Sequence, residues 1–208
     1  MALGYILGKS SAKLVKTSLN IPLVLMLSVI PDIDILIEHV SGLASTIPHR
    51  GPIHSAVLSL GAFIPLFMIY RKAALPYFLA LIQHMLIGDY LTGGQLELLW
   101  PITQQKFGIP TPIDSIQNIS LEIFLFTSSI VLLLVTKDLS KLFHSHKSNL
   151  LLAIPTFTVL LPTFLSYPLH VPSLMIPPHI ILTAIFAASI TIELWAIIKN
   201  RNVAMPMG

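Results

Sequence analysis

Residues 74–91 read ALPYFLALIQHMLIGDYL, and the kind of protein this chain makes turns on that stretch. It is apolar over nearly the roughly 20 residues that a helix needs to cross a bilayer, and it lacks the alternation of a membrane β-strand. His84 and Asp89 interrupt it near one end. Ionisable side chains persist at such depth mainly when they face one another, water or an ion, so a membrane helix and a functional site are read from the same residues.

Runs of the same character cover 54–70, 119–136, 150–169 and 177–198. The 208 residues are 54% hydrophobic and only 10% charged, and mean hydropathy is +0.84, far from the balance of a soluble globular domain. The expectation is one membrane-embedded all-α domain over 1–208, a polytopic bundle of five or six spans with a polar metal pocket near one membrane face. Helices of such a bundle pack against one another in lipid. Pro65 should kink the first span, and Pro155 and Pro162 the fourth.

Residues 19–30 are apolar but too short to cross unaided, and Lys9, Lys13 and Lys16 before them share one helical face. Either 3–18 lies on the membrane surface and 19–30 dips in and returns, or the two join into one long tilted span. The first apolar stretch lacks a small-residue cleavage site, so no cleavable signal peptide is expected.

Cysteine is absent, which removes disulfides, iron–sulfur clusters and thiolate zinc sites and leaves any metal to His and Asp/Glu. The net charge of +3 is small and its Lys and Arg are dispersed, so it reads as membrane orientation rather than a nucleic-acid footprint. If the five runs alternate, Arg71-Lys72, 137–147 and 199–201 share one side, expected to be cytoplasmic. The opposite side, expected to be extracytoplasmic at the plasma membrane, receives 31–54, 91–118 and 170–178.

That second side holds the chemistry. Pro31-Asp32-Ile33-Asp34 sets two carboxylates just past an apolar segment, able to converge on a cation if the chain turns there. Alone, the motif equally describes a solvated loop. In His49-Arg50-Gly51-Pro52-Ile53-His54-Ser55, two imidazoles flank a Gly-Pro helix start and can bind one metal or a close pair, while Arg50 offers a planar fork for phosphate or carboxylate. An interfacial His-Arg pair explains the arginine but not the flanking histidines. His84 and Asp89 are five apart, about 140° of rotation on an ideal α-helix, so they share a face only with a π-wound turn or an early helix end.

Glu38 and His39 read as surface residues of a 35–48 loop, His144 and His146 as members of a solvated basic loop, and His170 and His179 as interfacial. Trp100, Tyr167 and Trp195 suit the aromatic belt. Asn118-Ile119-Ser120 fits a glycosylation sequon, although an asparagine there is more simply a helix cap.

The ordered set of Pro-Asp-Ile-Asp at 31–34, His-Arg-Gly-x-x-His-Ser at 49–55, then His84, Asp89, Thr92, Gly94 and Leu-Leu-Trp-Pro at 98–101 resembles the membrane-bound metal-dependent hydrolases of the YdjM type. The motifs fall in 1–115, and 116–208 supplies additional spans. The resemblance implies a centre of one to three divalent ions, with zinc expected, and a distant relation to zinc-dependent phospholipase C and P1-type nucleases. The ligands it implies are Asp32, Asp34, His49, His54, His84 and Asp89. Two departures stand out: the family's Gly-His near the N-terminus is Gly4-Tyr5 here, and its His-x-x-x-Asp is His84-x-x-x-x-Asp89.

The function expected is hydrolysis of a phosphoester in a phospholipid or lipid-linked substrate. Asp34 or Asp32 would accept a proton from water, Arg50 would hold a phosphate oxygen, and Ser55 and Thr92 would support the substrate. The rival is a non-catalytic membrane protein, an ion carrier or a degenerate scaffold. A carrier should place charges along a path at mid-membrane, whereas Glu122 and Glu193 lie near the ends of their runs.

Overall fold

The computed structural model describes residues 1–41, 49–165 and 171–204. The side chains of Glu38 and His39 lie outside the described residues, as do Tyr167 and His170. Among the described residues the regular structure is helical, apart from one antiparallel bridge between Leu96 and Phe107. The chain forms α1 (Ala2–Leu14), α2 (Ile21–Leu27), α3 (Ile33–Ser41), α4 (Ala56–Tyr70) and α5 (Leu75–Gln83), the last continuing as a π-helix over His84–Gly93. There follow α6 (Ile116–Val135), α7 (Asp138–Leu142), α8 (Ala153–Leu165) and α9 (Ile176–Ala204). Short 3-10 turns at Ile30–Asp32, Pro52–His54 and Lys147–Leu152 lead into α3, α4 and α8.

Four described helical stretches are long and apolar enough to cross a membrane: Ala56–Gly93, Ile116–Val135, Lys147–Leu165 and Ser173–Asn200. The first folds back on itself at Arg71, whose φ of 49° no regular helix accommodates. Phe63 then meets Phe78 at 5.3 Å between ring centroids, and the Ser59 hydroxyl lies 3.4 Å from the Met85 sulfur. Pro155 occupies the third position of α8, just after the 3-10 turn Lys147–Leu152 that leads into it. Residues 35–41 are helical rather than loop.

Neither reading of the N-terminal segment matches the structure, because α1 packs inside the bundle, antiparallel to both α2 and α5. Gly4 and Gly8, one helical turn apart, make this possible. A Cβ on Gly4 would lie 2.3 Å from Ser28 Cβ and 3.2 Å from the Ala80 carbonyl oxygen, and one on Gly8 would lie 2.9 Å from Val24 Cγ1. Small residues at this spacing let helix backbones approach closely where lipid gives no hydrophobic drive to associate. Past α1 the chain reverses, with Lys16 at φ 55°. Asn20 caps α2 by accepting from the Leu23 N–H at 3.1 Å, and its own N–H donates to the Tyr77 hydroxyl at 3.0 Å.

The hairpin brings Lys9 to the end of the bundle that carries Lys137, Lys141 and Lys147. Asp138 there is fully buried and pairs with Lys9 at 2.5 Å and Lys141 at 2.8 Å, while the Tyr5 hydroxyl donates to it at 2.9 Å. Burial alone would raise the Asp138 pKa, but hydrogen bonds from Lys141, Lys9 and Tyr5 outweigh it and hold the carboxyl below its ordinary value. Tyr5 is itself fully buried, in a cluster with Leu25, Leu133, Leu142, Leu182 and Phe186.

Two outcomes follow. Gly4→Ala should destabilise the protein by roughly 1–3 kcal/mol, as overpacked sites do, whereas Gly61→Ala, whose added Cβ meets nothing within 4 Å, should not; thermal unfolding in detergent measures both. Asp138→Asn should cost roughly 1–3 kcal/mol near neutrality. Because the folded pKa is depressed, this contribution is complete above the ordinary value of 3.8 and fades as pH falls through the folded one. The gap between wild type and variant should therefore close below about pH 4.

Candidate metal centre

Each functional side chain is placed by a local interruption of helix. The chain leaves α2 at Leu27, four residues before Pro31, and the carbonyl of its C-cap Ser28 is free of helical partners. That oxygen accepts from His84 Nδ1 at 3.0 Å and from the Gln83 amide at 3.4 Å. The 3-10 turn that follows, running directly into α3, brings Asp32 and Asp34 to the same cluster. Arg50 stands at φ 63°; its N–H donates to Asp34 Oδ2 at 3.3 Å and its carbonyl accepts from the Glu97 N–H at 3.0 Å. The 3-10 turn from Pro52 then directs His54 into full burial.

His84 and Asp89 share a face because the helix carrying them is wound as π from His84 to Gly93. That winding supplies the i, i+5 repeat their spacing needs; π segments are rare and recur at functional sites.

The result is a closed mesh of imidazoles and carboxylates. His54 Nε2 lies 3.5 Å from Asp32 Oδ1 and 3.5 Å from Asp89 Oδ2, and His84 Nε2 lies 3.2 Å and 3.5 Å from the same two oxygens. Behind them, Asp34 Oδ2 is 3.2 Å from His54 Nδ1 and Asp34 Oδ1 is 3.0 Å from His49 Nδ1. Asp32 is held well below the usual carboxylate pKa: burial opposes this, but the charge and hydrogen bonds of His84 and His54 prevail. Asp34 is lowered too, its own burial outweighed by His49 and His54.

Hydrogen bonding alone leaves this mesh unsatisfied. Ser28 offers His84 Nδ1 only a carbonyl, so that nitrogen must donate, and in a neutral ring Nε2 then presents a lone pair to two carboxylates. His84 Nε2, both ring nitrogens of His54, Asp89 Oδ2 and Arg50 Nε are buried without a hydrogen-bond partner. A shared cation resolves the conflict. The four contacts joining His54, His84, Asp32 and Asp89 span 3.2–3.5 Å, and Asp32, His54 and His84 lie close enough together to share one ion. The donor set fits a divalent metal.

Two triads are close enough to share an ion, Asp32-His54-His84 and Asp34-His49-His54. Both need His54, whose neutral ring has one lone pair, so they compete. The Nδ1 contact with Asp34 matches the carboxylate–histidine pairing that orients a metal-binding imidazole through its other nitrogen.

A cavity of about 290 Å³ opens on the mesh, lined by Asp32, His49, Arg50, His84, Asp89 and Thr92 among others. Asp34 and His54 lie behind this wall. Arg50 Nε approaches Asp89 Oδ1 at 3.4 Å. The guanidinium sits where only glycine leaves room: a Cβ on Gly93 would lie 2.9 Å from Nη2, and one on Gly94, at φ 109°, 3.0 Å from Nη1. Thr92 donates to the Gly88 carbonyl at 2.6 Å. Ser55 does not line the cavity; it caps α4 and donates to the Trp100 carbonyl at 2.5 Å. Tyr5 reaches Asp138 at the other end of the bundle, so no ligand stands in for the family's histidine from that position.

Of the far wall, the sequence offered only His179 as a residue that could cover the site. That wall consists of Asn118 and Glu122 from α6, Thr158 from α8 and His179 from α9. Asn118 is not the helix cap, a role Ser115 takes by accepting from the Asn118 N–H at 3.3 Å. Its side chain is buried, which removes it as a glycosylation acceptor. The i, i+4 spacing of Asn118 and Glu122 was the available signal, since it sets both on one helical face.

A family model described as YdjM inner membrane protein matches residues 1–170. The match extends past the motif-bearing 1–115 and takes in α6, α7 and α8. No curated protein and no solved structure matches the chain.

If Asp34 orients His54 and His49, Asp34→Asn should weaken zinc binding by roughly 10–100-fold, the usual effect of removing a carboxylate behind a histidine ligand. Titration with a competing chelator reads this directly. Unchanged affinity would take Asp34 out of the centre.

Proposed function

The chain belongs to the YdjM inner membrane protein family, and on that footing we propose that it is a metal-dependent hydrolase of a phosphoester in a lipid or lipid-linked substrate. The observation that carries this reading is the set of contacts of 3.2–3.5 Å joining His54 Nε2, His84 Nε2, Asp32 Oδ1 and Asp89 Oδ2, with Asp32, His84 and Asp89 on the wall of a cavity and His54 just behind it. These four residues would hold one divalent ion, zinc being the expected one. When bound, such an ion polarises a phosphoryl oxygen and brings the pKa of water towards neutrality.

The chain's own residues divide the remaining work. Arg50, fixed through its backbone to Asp34 and Glu97, presents guanidinium donors to a phosphate oxygen. His49 lines the cavity with Nδ1 turned to Asp34, which leaves Nε2 as the atom to take a proton from water. Asp34, with Oδ1 on His49 and Oδ2 on His54 and the Arg50 N–H, orients rather than accepts. Thr92 braces the π-helix beside Arg50.

The cavity would open on the extracytoplasmic face. Lys9 is tied to Asp138, and Lys141 lies with Ser18 and Tyr77 around one hollow at the other end. Positive charge thus gathers opposite the centre, as it does on the cytoplasmic side of membrane proteins.

The test is elemental analysis of the purified protein together with cleavage of a phosphodiester substrate. About one zinc or other transition metal per chain is expected. His54→Ala and Asp89→Ala should lower metal-dependent hydrolysis at least about 100-fold. His146→Ala should leave it intact, because that ring sits at the basic end against the Ser148 hydroxyl at 2.6 Å. Absence of stoichiometric metal, or equal losses in all three variants, would sink the proposal.

A further inference from the structure

The far wall of the cavity is one-sided in its hydrogen bonding. Asn118 is 8% exposed and its Nδ2 donates to the Ile113 carbonyl at 3.0 Å, an assignment the carbonyl fixes because only N–H can serve it. Its Oδ1 is left buried with no partner. Thr158 spends its hydroxyl proton on the Pro155 carbonyl at 3.3 Å. On α9, His179 Nδ1 lies 2.7 Å from Thr163 Oγ1, which gives its own proton to the Val159 carbonyl at 2.8 Å and therefore accepts from the ring. The neutral ring then has Nε2 as an acceptor. Glu122 adds a carboxylate to the same wall. Asn118, Thr158 and His179 thus spend their donors inward and leave acceptors, and the Met1 α-amino group lines the same cavity within electrostatic reach of Glu122.

The near wall is the reverse, with Arg50 donors beside atoms suited to a cation. A molecule that fits both walls carries phosphate at one end and hydrogen-bond donors at the other. We propose that the cavity selects phosphoesters whose alcohol bears free hydroxyls, such as a glycerol headgroup, with a hydroxyl donating to Asn118 Oδ1. This rests on the phosphoester reading above and narrows it to a polyol headgroup. The Met1 α-amino group offsets the Glu122 carboxylate on this wall, so the unpartnered atom is the neutral amide oxygen of Asn118, which suits a hydroxyl better than an ammonium. A headgroup without donors leaves that buried acceptor unpaired, and sites built to hydrogen-bond a substrate hydroxyl discriminate strongly against analogues lacking it.

The experiment titrates the detergent-solubilised, zinc-loaded protein with dioctanoyl phosphatidylglycerol, phosphatidylethanol and phosphatidylethanolamine, read calorimetrically, and follows hydrolysis of the first two separately. Phosphatidylethanol has the charge of phosphatidylglycerol but no headgroup hydroxyl. Phosphatidylglycerol should bind roughly five- to tenfold tighter than phosphatidylethanol. Asn118→Ala should abolish that ratio with metal content unchanged. Equal wild-type binding of the two lipids overturns the inference without needing any variant, and so does tighter binding of phosphatidylethanolamine than phosphatidylglycerol. Hydrolysis of both lipids at one rate with equal affinity leaves the hydrolase reading standing and this one fallen. Selective binding with no hydrolysis does the opposite.

Discussion

Carboxylates are among the costliest groups to withdraw from water, and this fold gathers Asp32, Asp34 and Asp89 at one place inside a helical bundle. Removing such charges from solvent is tolerable only when each is compensated by close opposite charge and by hydrogen bonds. His49, His54, His84 and Arg50 supply part of that compensation. Much of the local backbone serves to bring them there: a helix stopped ahead of Pro31, a left-handed Arg50, a 3-10 turn before His54 and ten residues of π-helix from His84. Each departs from ordinary helix at a residue that faces the centre or stands beside one that does. Such concentration of irregular geometry is expected where structure is spent on chemistry.

Packing of α1 holds this arrangement together from behind. Gly4 sits against Ser28, whose carbonyl orients His84, and beside Gln83, which donates to the same carbonyl. A side chain on Gly4 would push directly on the residue that fixes the ring of His84. The N-terminal helix therefore bears on the orientation of the His84 ring, and its other end is anchored by Lys9 and Tyr5 on Asp138.

The helical runs and the clustering of Asp32, His49, His54, His84 and Asp89 on one side were legible because hydrophobic length and the cost of buried charge are local signals. So was the need for i, i+5 winding, which follows from five-residue spacing alone. The N-terminal hairpin was not legible, since the pairing of Lys9 with Asp138 spans most of the chain. Even so, Gly4-x-x-x-Gly8 stood in the sequence as a helix-packing pattern. Asp34 or Asp32 was expected to accept a proton because two carboxylates stand together in Pro-Asp-Ile-Asp; the contacts of Asp34 with His49 and His54 could not be read from that motif alone. Most of the far wall escaped for a different reason: Asn118, Thr158 and His179 come from three separate helices, and each is unremarkable in its own segment.

That far wall also bears on why the family match runs to residue 170, well past the motifs. A centre made of residues 32–89 alone would be open to lipid on one side, where the bilayer offers neither hydrogen bonds nor a means of holding water. Helices α6 and α8, within the match, and α9 beyond it close that side with Asn118, Glu122, Thr158 and His179, so the cavity they complete is bounded and carries polar groups on both walls. Water is both the nucleophile in hydrolysis and the medium in which released products leave, so a hydrolytic centre in a membrane requires such an enclosure. The division of labour follows from the chain order. On the proposed reading, the first half would supply cation-binding and phosphate-binding groups, and the second half the acceptors that a leaving alcohol would meet.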